Sequence, residues 1–225
     1  MSISERLLSG MAEHIRKFNE NDTFKPTEVD FSTPFHRIDF IPGIEQQTDR
    51  KLPDLRSPDA TTQTTQLFHD LSLTLPTNPT LPRLLDALSS TYLEPQCTNP
   101  TFITNPPECL SPLSKTFTHP TTHQRVAARA ELFIEGKEVI NTYEEENSPA
   151  EQRRKFEDQM RLGTDADAGD GPAQIDETYL EAMEWGLPAT GGWGCGVDRL
   201  CMLFTGAKRI GDVLPFGNLR AVTRR

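Results

Sequence analysis

Hydrophobic positions follow two periods along the chain, and together they predict helices and strands mixed within one domain. Ile3, Leu7, Met11, Ile15 and Phe18 recur at helical spacing, and Ser2 with Glu5 has the form of a capping box, so the chain is expected to start in a helix. Phe35 to Ile41 reads as a short strand stopped by Pro42-Gly43. Leu81, Leu84, Leu85, Leu88 and Tyr92 mark a second helix by the same periodicity. Ala128, Ala130, Leu132 and Ile134 then alternate, Gly136 turns the chain, and a β-rich run continues through Val139, Ile140 and Tyr143, which predicts an antiparallel hairpin.

Ser148-Pro149-Ala150-Glu151 offers an N-cap, a proline at the first helical position and a capping-box glutamate, opening a helix through Phe156 and Met160. Residues 163 to 174 have the composition of a mobile acidic loop. Asp176 starts another helix that Gly186 and Pro188 end. Gly191, Gly192, Gly194 and Gly196 form a strand largely bare of side chains, and Val197-Asp198-Arg199-Leu200 opens an apolar helix that Gly206 closes. Between residues 51 and 122 the texture changes, because eleven of the eighteen prolines fall there among many threonines, and the stretch reads as an irregular insertion.

Composition adds limits. The 225 residues carry 23 Lys and Arg against 33 Asp and Glu, a net charge of −10, which argues against a broad cationic surface for nucleic acid but leaves room for a local basic patch. No apolar run approaches the ~20 residues needed to cross a bilayer, so a soluble protein is expected. The N-terminal stretch reads as structure and not as a cleaved leader. Cys97, Cys109, Cys195 and Cys201 form no metal-ligand spacing and are expected to be free thiols.

Two regions could carry chemistry. On the glycine strand, absent side chains let a planar group approach the backbone, and the Arg199 guanidinium on the next helical turn could meet a phosphate from above. A glycine-rich edge with Asp198-Arg199 as a surface pair is the plain alternative. In the hairpin, Glu138, Glu144, Glu145, Glu146 and Asn147 gather hard oxygen ligands of the kind that hold Mg²⁺ against polyphosphate, or else form a solvated acidic strand end. Glu138 and Glu145 lie an odd number of residues apart, so they share a face only through a bulge or break. His14, His119 and His123 read as surface histidines, and Trp185 and Trp193 as packing residues.

Taken in order, these motifs resemble the C-terminal half of a class II aminoacyl-tRNA synthetase catalytic domain, and within that class lysyl-tRNA synthetases. GGWGCGVDRL at 191 to 200 is similar to the third class-defining motif, and its Asp-Arg pair resembles the lysyl branch. GKEVINTYEEENSP at 136 to 149 is similar to the acidic strand on the ATP side, and TPFHRI and NPTFITNPPECLSPLSK also match in order. The resemblance implies an α+β fold, an antiparallel sheet flanked by helices. Within an incomplete catalytic domain over 1–225 it distinguishes the insertion-like region 51–122, an acidic hairpin at 128–147 and the motif 3 strand and helix at 191–206.

It also implies roles. Arg199 and Glu145 would be catalytic. ATP would be bound by Glu145, Glu146, Gly196, Val197, Asp198 and Arg199. Lysine would lie at Asn147 and Gly194, and Mg²⁺ at Glu138 and Glu145. The implied reaction activates lysine with ATP and transfers it to tRNA(Lys), in mitochondria by the likeness of VLPFGNLRAV to fungal mitochondrial forms, with the cytoplasm as alternative. Members of the family are homodimers. The first motif, which builds that dimer, the second motif with its α-phosphate arginine, and the anticodon-binding OB-fold have no counterpart in the sequence. The chain alone is therefore expected to have little or no activity; a non-catalytic ATP-binding or regulatory paralogue is the alternative.

Overall fold

A computed structural model describes residues 1–19, 28–162 and 175–216. The chain runs α1 (Ser2–Phe18), β1 (His36–Asp39), α2 (Phe40–Thr48), α3 (Ala60–Asp70), α4 (Leu81–Tyr92), β2 (Thr101–Thr104), β3 (Thr116–Thr118), β4 (Arg125–Ala127), β5 (Arg129–Ile134), β6 (Lys137–Glu144), α5 (Pro149–Leu162), α6 (Glu177–Glu184), β7 (Gly191–Cys195) and α7 (Val197–Thr205). Five strands form one sheet in the order β1-β2-β5-β6-β7, and β3 pairs with β4 in a small second sheet. Only β1 and β2 run parallel within the main sheet. This is the expected α+β arrangement.

Neighbouring residues on the central strands point into different layers. Phe102, Leu132, Ala130 and Ile134 join Leu8 and Ala12 of α1 and Leu200, Leu203 and Phe204 of α7 behind the sheet. Ile103 and Phe133 face the opposite way, into a cluster with Ile41, Ile44, Phe68, Leu84, Leu85 and Leu88 from α2 to α4. That second cluster covers only part of the front face. Among the described residues the rest, over β5, β6 and β7, stays open.

Several local signals act as expected. Ser148 caps α5 by accepting from the Glu151 N–H at 3.4 Å, and Asp176 caps α6 by accepting from the Tyr179 N–H at 2.9 Å. Glu135 and Gly136, at φ 51° and 68°, make the two-residue turn between β5 and β6, and Gly206 ends α7 at φ 72°. All four cysteines are free. Among the described residues no helix is long and apolar enough to cross a membrane.

Other expectations are corrected. The buried stripe of α1 is Ser4, Glu5, Leu8 and Ala12, whereas Ile3, Leu7 and Phe18 are exposed. No capping box forms, because Glu5 instead accepts from the Phe35 N–H at 3.2 Å and lies 3.7 Å from Arg37. Pro42-Gly43 does not stop the strand into a turn but sits in the first turns of α2, where a missing N–H costs little. Gly43 is needed there for packing: a Cβ would stand 2.7 Å from Ile38 Cγ2. The stretch 51–122 is not irregular, since α3, α4 and β2 lie in it and supply Phe68, Leu84, Leu85, Leu88 and Ile103 to the core.

Trp185 is almost fully exposed, and Trp193 is half-exposed with its Nε1 donating to Ser4 Oγ at 3.0 Å, so neither is a core packing residue. His14 and His123 are on the surface as expected, but His119 is buried. Its Nδ1 accepts from the Thr122 N–H, which leaves Nε2 to donate to Asp39 Oδ2 at 2.8 Å. The acidic loop expected at 163–174 lies outside the described residues, as does most of the C-terminal VLPFGNLRAV.

Candidate active site

The open front of the sheet owes its composition to one bulge. β5 and β6 pair Leu132 with Ile140 but Phe133 with Glu138, so Val139 is an extra residue. Val139 and Ile140 are both buried behind the sheet, and alternation resumes with inverted phase. Glu138 thereby joins Asn141 and Tyr143 on the front, with Arg129 and Glu131 beside them on β5. Gly194 pairs with Asn141 and Gly192 with Tyr143, which continues the same face onto β7.

A cavity of about 600 Å³ opens there, lined among others by Asp86, Arg129, Glu131, Glu138 and Arg199. A smaller one of about 170 Å³ adjoins it through Arg129 and is bounded by Asn141, Tyr143 and the Ser111–Ser114 segment. Arg129 is the fixed post between them. It donates to Asn141 Oδ1, the Leu110 carbonyl and Ser111 Oγ, each at 3.0 Å, and to the Glu131 carboxylate. Burial pushes Glu131 up, with the Arg129 charge opposing and Glu138, Asp86 and Glu94 adding to the rise.

Arg199 sits in the first turn of α7, half-exposed, and its Nη1 donates to the Glu138 carbonyl at 2.5 Å and lies 3.9 Å from the Glu138 carboxylate. Gly196 precedes it as N-cap, its N–H bound to the Val139 carbonyl at 2.9 Å. A Cβ there would stand 3.4 Å from Arg199 Cδ. Val197 is exposed and Asp198 half-buried in the same turn. The bulge thus ties together β6, the α7 N-terminus and the guanidinium.

Glu145 lies just past β6, its N–H on the Thr190 carbonyl at 2.9 Å, and burial pushes its carboxyl up. A Cβ on Gly192 would come within 2.5 Å of Glu145 Oε1 and 3.0 Å of the Tyr143 ring, so the bare position is what admits both side chains. At Gly194 a Cβ would meet nothing within 4 Å, which leaves a flat open surface. Asn147 donates from Nδ2 to the Leu187 carbonyl at 3.3 Å, on the approach to β7.

Glu138 and Glu145 share the front face but are separated by about 20 Å of strand. Among the described residues no three His, Cys, Asp or Glu side chains gather as a metal site. Magnesium commonly takes only one or two carboxylates and completes its shell with phosphate and water, so single carboxylates along an open face fit that ion when a polyphosphate brings the remaining oxygens.

Glu146 turns its carboxylate inward. Its side chain is buried against Lys155 at 2.6 Å, and its other oxygen accepts from the N–H groups of Asn147 and Ser148 at 3.1 Å, so its carboxylate does not lie along the open face. Burial pushes it up, but those bonds and the Lys155 charge outweigh burial and hold it below the ordinary range. Arg129 and Tyr143 were given no site role from the sequence. The adjacent apolar pair Val139-Ile140 in an alternating strand is the signal that could have found the bulge.

The family model for tRNA synthetases class II (D, K and N) matches residues 1–220. The chain is 36% identical over 223 residues to lysine–tRNA ligase cla4 of Cladosporium cladosporioides, covering 96% of this chain and 37% of that protein. It is 38% identical over 232 residues to the probable cytoplasmic lysine–tRNA ligase of Enterocytozoon bieneusi, at 98% and 44% coverage. To the mitochondrial lysine–tRNA ligase of Schizosaccharomyces pombe it is 39% identical over 212 residues, at 91% and 39%. The chain thus spans 37% to 44% of the length of these curated relatives, which include both mitochondrial and cytoplasmic enzymes.

Proposed function

The chain belongs to the class II tRNA synthetases of the D, K and N type, and on that premise we propose that it contributes the magnesium, γ-phosphate and lysine side of a lysine–tRNA ligase site. The observation that carries this reading is the bulge at Val139, which turns Glu138 onto the face that holds Asn141 and Tyr143 and sets it beneath Arg199.

In this reading ATP lies along the bare glycine strand, and its γ-phosphate meets Arg199 where Gly196, Val197 and Asp198 begin α7. Glu138 and Glu145 would hold Mg²⁺ at separate positions along the bound nucleotide, where the ion would offset phosphate charge. Lysine lies towards Asn147 and Gly194. Its carboxylate oxygen attacks the α-phosphorus, the bond to the β-phosphate oxygen breaks, and lysyl-adenylate and pyrophosphate result. The lysyl group then passes to a terminal ribose hydroxyl of tRNA(Lys), releasing AMP. The chain's own contribution is to hold charge and geometry, with no covalent intermediate on the protein. The C-terminal likeness to fungal mitochondrial forms favours protein synthesis in that organelle.

Lysine-dependent exchange between ATP and pyrophosphate by the full-length gene product tests the reading. Arg199→Ala, which removes a donor aimed at developing charge, is expected to lower exchange on the order of a hundredfold. Unchanged exchange would overturn it. ATP binding lost on Arg199→Ala but indifferent to lysine would favour a non-catalytic ATP-binding paralogue.

A further inference from the structure

The buried pair Glu146–Lys155 joins three segments that the site needs in register. Lys155 projects from α5, with its side chain 2% exposed against 7% for Glu146. Besides Glu146 Oε2, its Nζ donates to the Ser114 carbonyl at 2.5 Å. Gln152, one turn earlier on α5, donates to the Pro112 carbonyl at 3.0 Å, and the Glu146 N–H binds the Leu113 carbonyl at 2.8 Å. The segment that walls the smaller cavity is thereby stitched to α5 and to the turn after β6.

The same carboxylate also shapes that turn. Glu146 Oε1 accepts the N–H groups of Asn147 and Ser148 together, a two-pronged contact that fixes the chain from Glu145 to the start of α5. A buried ion pair seldom stabilises more than a well-packed apolar pair of the same volume. What an apolar pair lacks is an acceptor for those two backbone donors and a donor for the Ser114 carbonyl. The flanking residues are Glu145, anchored through Thr190, and Asn147, anchored through Leu187.

We propose that Glu146 and Lys155 are positioning residues: the pair holds the turn in the one conformation that presents Glu145 to the metal side and Asn147 to the lysine side, and neither touches substrate. This rests on the reading that Glu145 serves Mg²⁺-bound ATP.

The test is calorimetric titration of ATP into the full-length gene product at graded Mg²⁺, beside thermal unfolding of the same samples. The double variant Glu146→Leu/Lys155→Leu keeps volume and removes both acceptor and charge. It is expected to unfold cooperatively, at a temperature lowered by the loss of those three hydrogen bonds, while its half-saturating Mg²⁺ rises about tenfold or more. Glu146→Gln/Lys155→Met keeps an oxygen acceptor for the two N–H groups and is expected to remain within about threefold of wild type, a rescue that a merely structural role does not require. Equal Mg²⁺ dependence in the two double variants overturns the positioning role. If the Leu pair fails to fold, Glu146→Leu/Lys155→Met, which differs from the rescue variant only in lacking the acceptor at 146, is read by the same tenfold criterion. Glu145→Gln in parallel separates the two claims: loss of Mg²⁺ dependence there upholds the reading of Glu145, and its retention overturns that reading and the proposal with it.

Discussion

Replacing Gly192 and Gly194 separately by alanine divides the bare strand into two experiments. Built on the backbone, a Gly192 methyl would stand 2.5 Å from Glu145 Oε1 and 3.0 Å from Cε2 and Cζ of Tyr143, separations that cannot persist. The carboxylate end of Glu145 is the freest of these groups and is expected to swing away. Overpacking of this kind costs about 1–3 kcal/mol in folding, here towards the lower end because the displaced atoms end a flexible side chain. A carboxylate withdrawn from a charge-assisted contact forfeits about 1.5–3 kcal/mol, which is roughly a 10- to 150-fold weaker Kd. At Gly194 the methyl meets nothing within 4 Å, so the free protein should gain about 0.4–1 kcal/mol from a less flexible unfolded chain. Binding should nevertheless weaken there, because the methyl intrudes on the surface assigned to substrate. Chemical denaturation and titration of ATP at limiting and saturating Mg²⁺ read the two quantities. A folded Gly192→Ala protein with wild-type Mg²⁺ dependence would refute the placement of Glu145 against the nucleotide.

Acid sensitivity gives a second check. Burial pushes Glu108 up, but its bond from Arg154 at 2.6 Å, the Arg154 charge, the Thr116 hydroxyl and the Arg125 charge outweigh that and hold it below its ordinary 4.5. A lowered carboxylate contributes stability that is complete above the ordinary value and is lost as pH falls through the folded one, so Glu108→Gln should flatten the stability profile below about pH 4.5. Urea titrations across that window giving parallel profiles would contradict the assignment. Thiol labelling is a third. Burial pushes Cys97 and Cys109 up to about 12, whereas Cys201 is exposed on α7. Cys201 should react first with a thiol reagent under native conditions, and Cys97 only on unfolding; mass spectrometry of partially labelled protein identifies the order.

What could be read from the residues alone was local. The four leucines of α4, the Ser148 cap of α5, the Asp176 cap of α6 and the Gly206 stop of α7 each depend on neighbours within a turn or two, and each forms as its pattern predicts. The misread positions depend on distant partners. Glu5 had the spacing of a capping residue, but a backbone N–H thirty residues away takes its carboxylate. His119 lay in a loop rich in proline and threonine, yet Asp39 at the end of β1 draws it into the interior. Proline density between 51 and 122 marked real breaks between short elements, but it could not reveal that those elements pack their leucines and phenylalanines together. Glu146 stood among acids that looked equivalent, and only the lysine one helix away distinguishes it.

The hairpin shows how far one residue can redirect a site. Under strict alternation, Glu138 and Glu145 would point to opposite faces of the sheet, and no one ligand on the front could meet both. An extra residue inverts parity once, at the cost of one irregular step in the ladder. Val139 supplies it, and hydrophobic burial fixes where the step falls: Val139 and Ile140 both enter the core behind the sheet, so sliding the bulge by one position would expose one of them or bury a polar neighbour. The carbonyl of Val139 receives the N–H of Gly196, and that of Glu138 receives the Arg199 guanidinium. The residue that brings Glu138 to the front also docks the N-terminus of α7. Acid, guanidinium and helix end are therefore coupled through two adjacent carbonyls, and a change that regularises the strand would displace all three together.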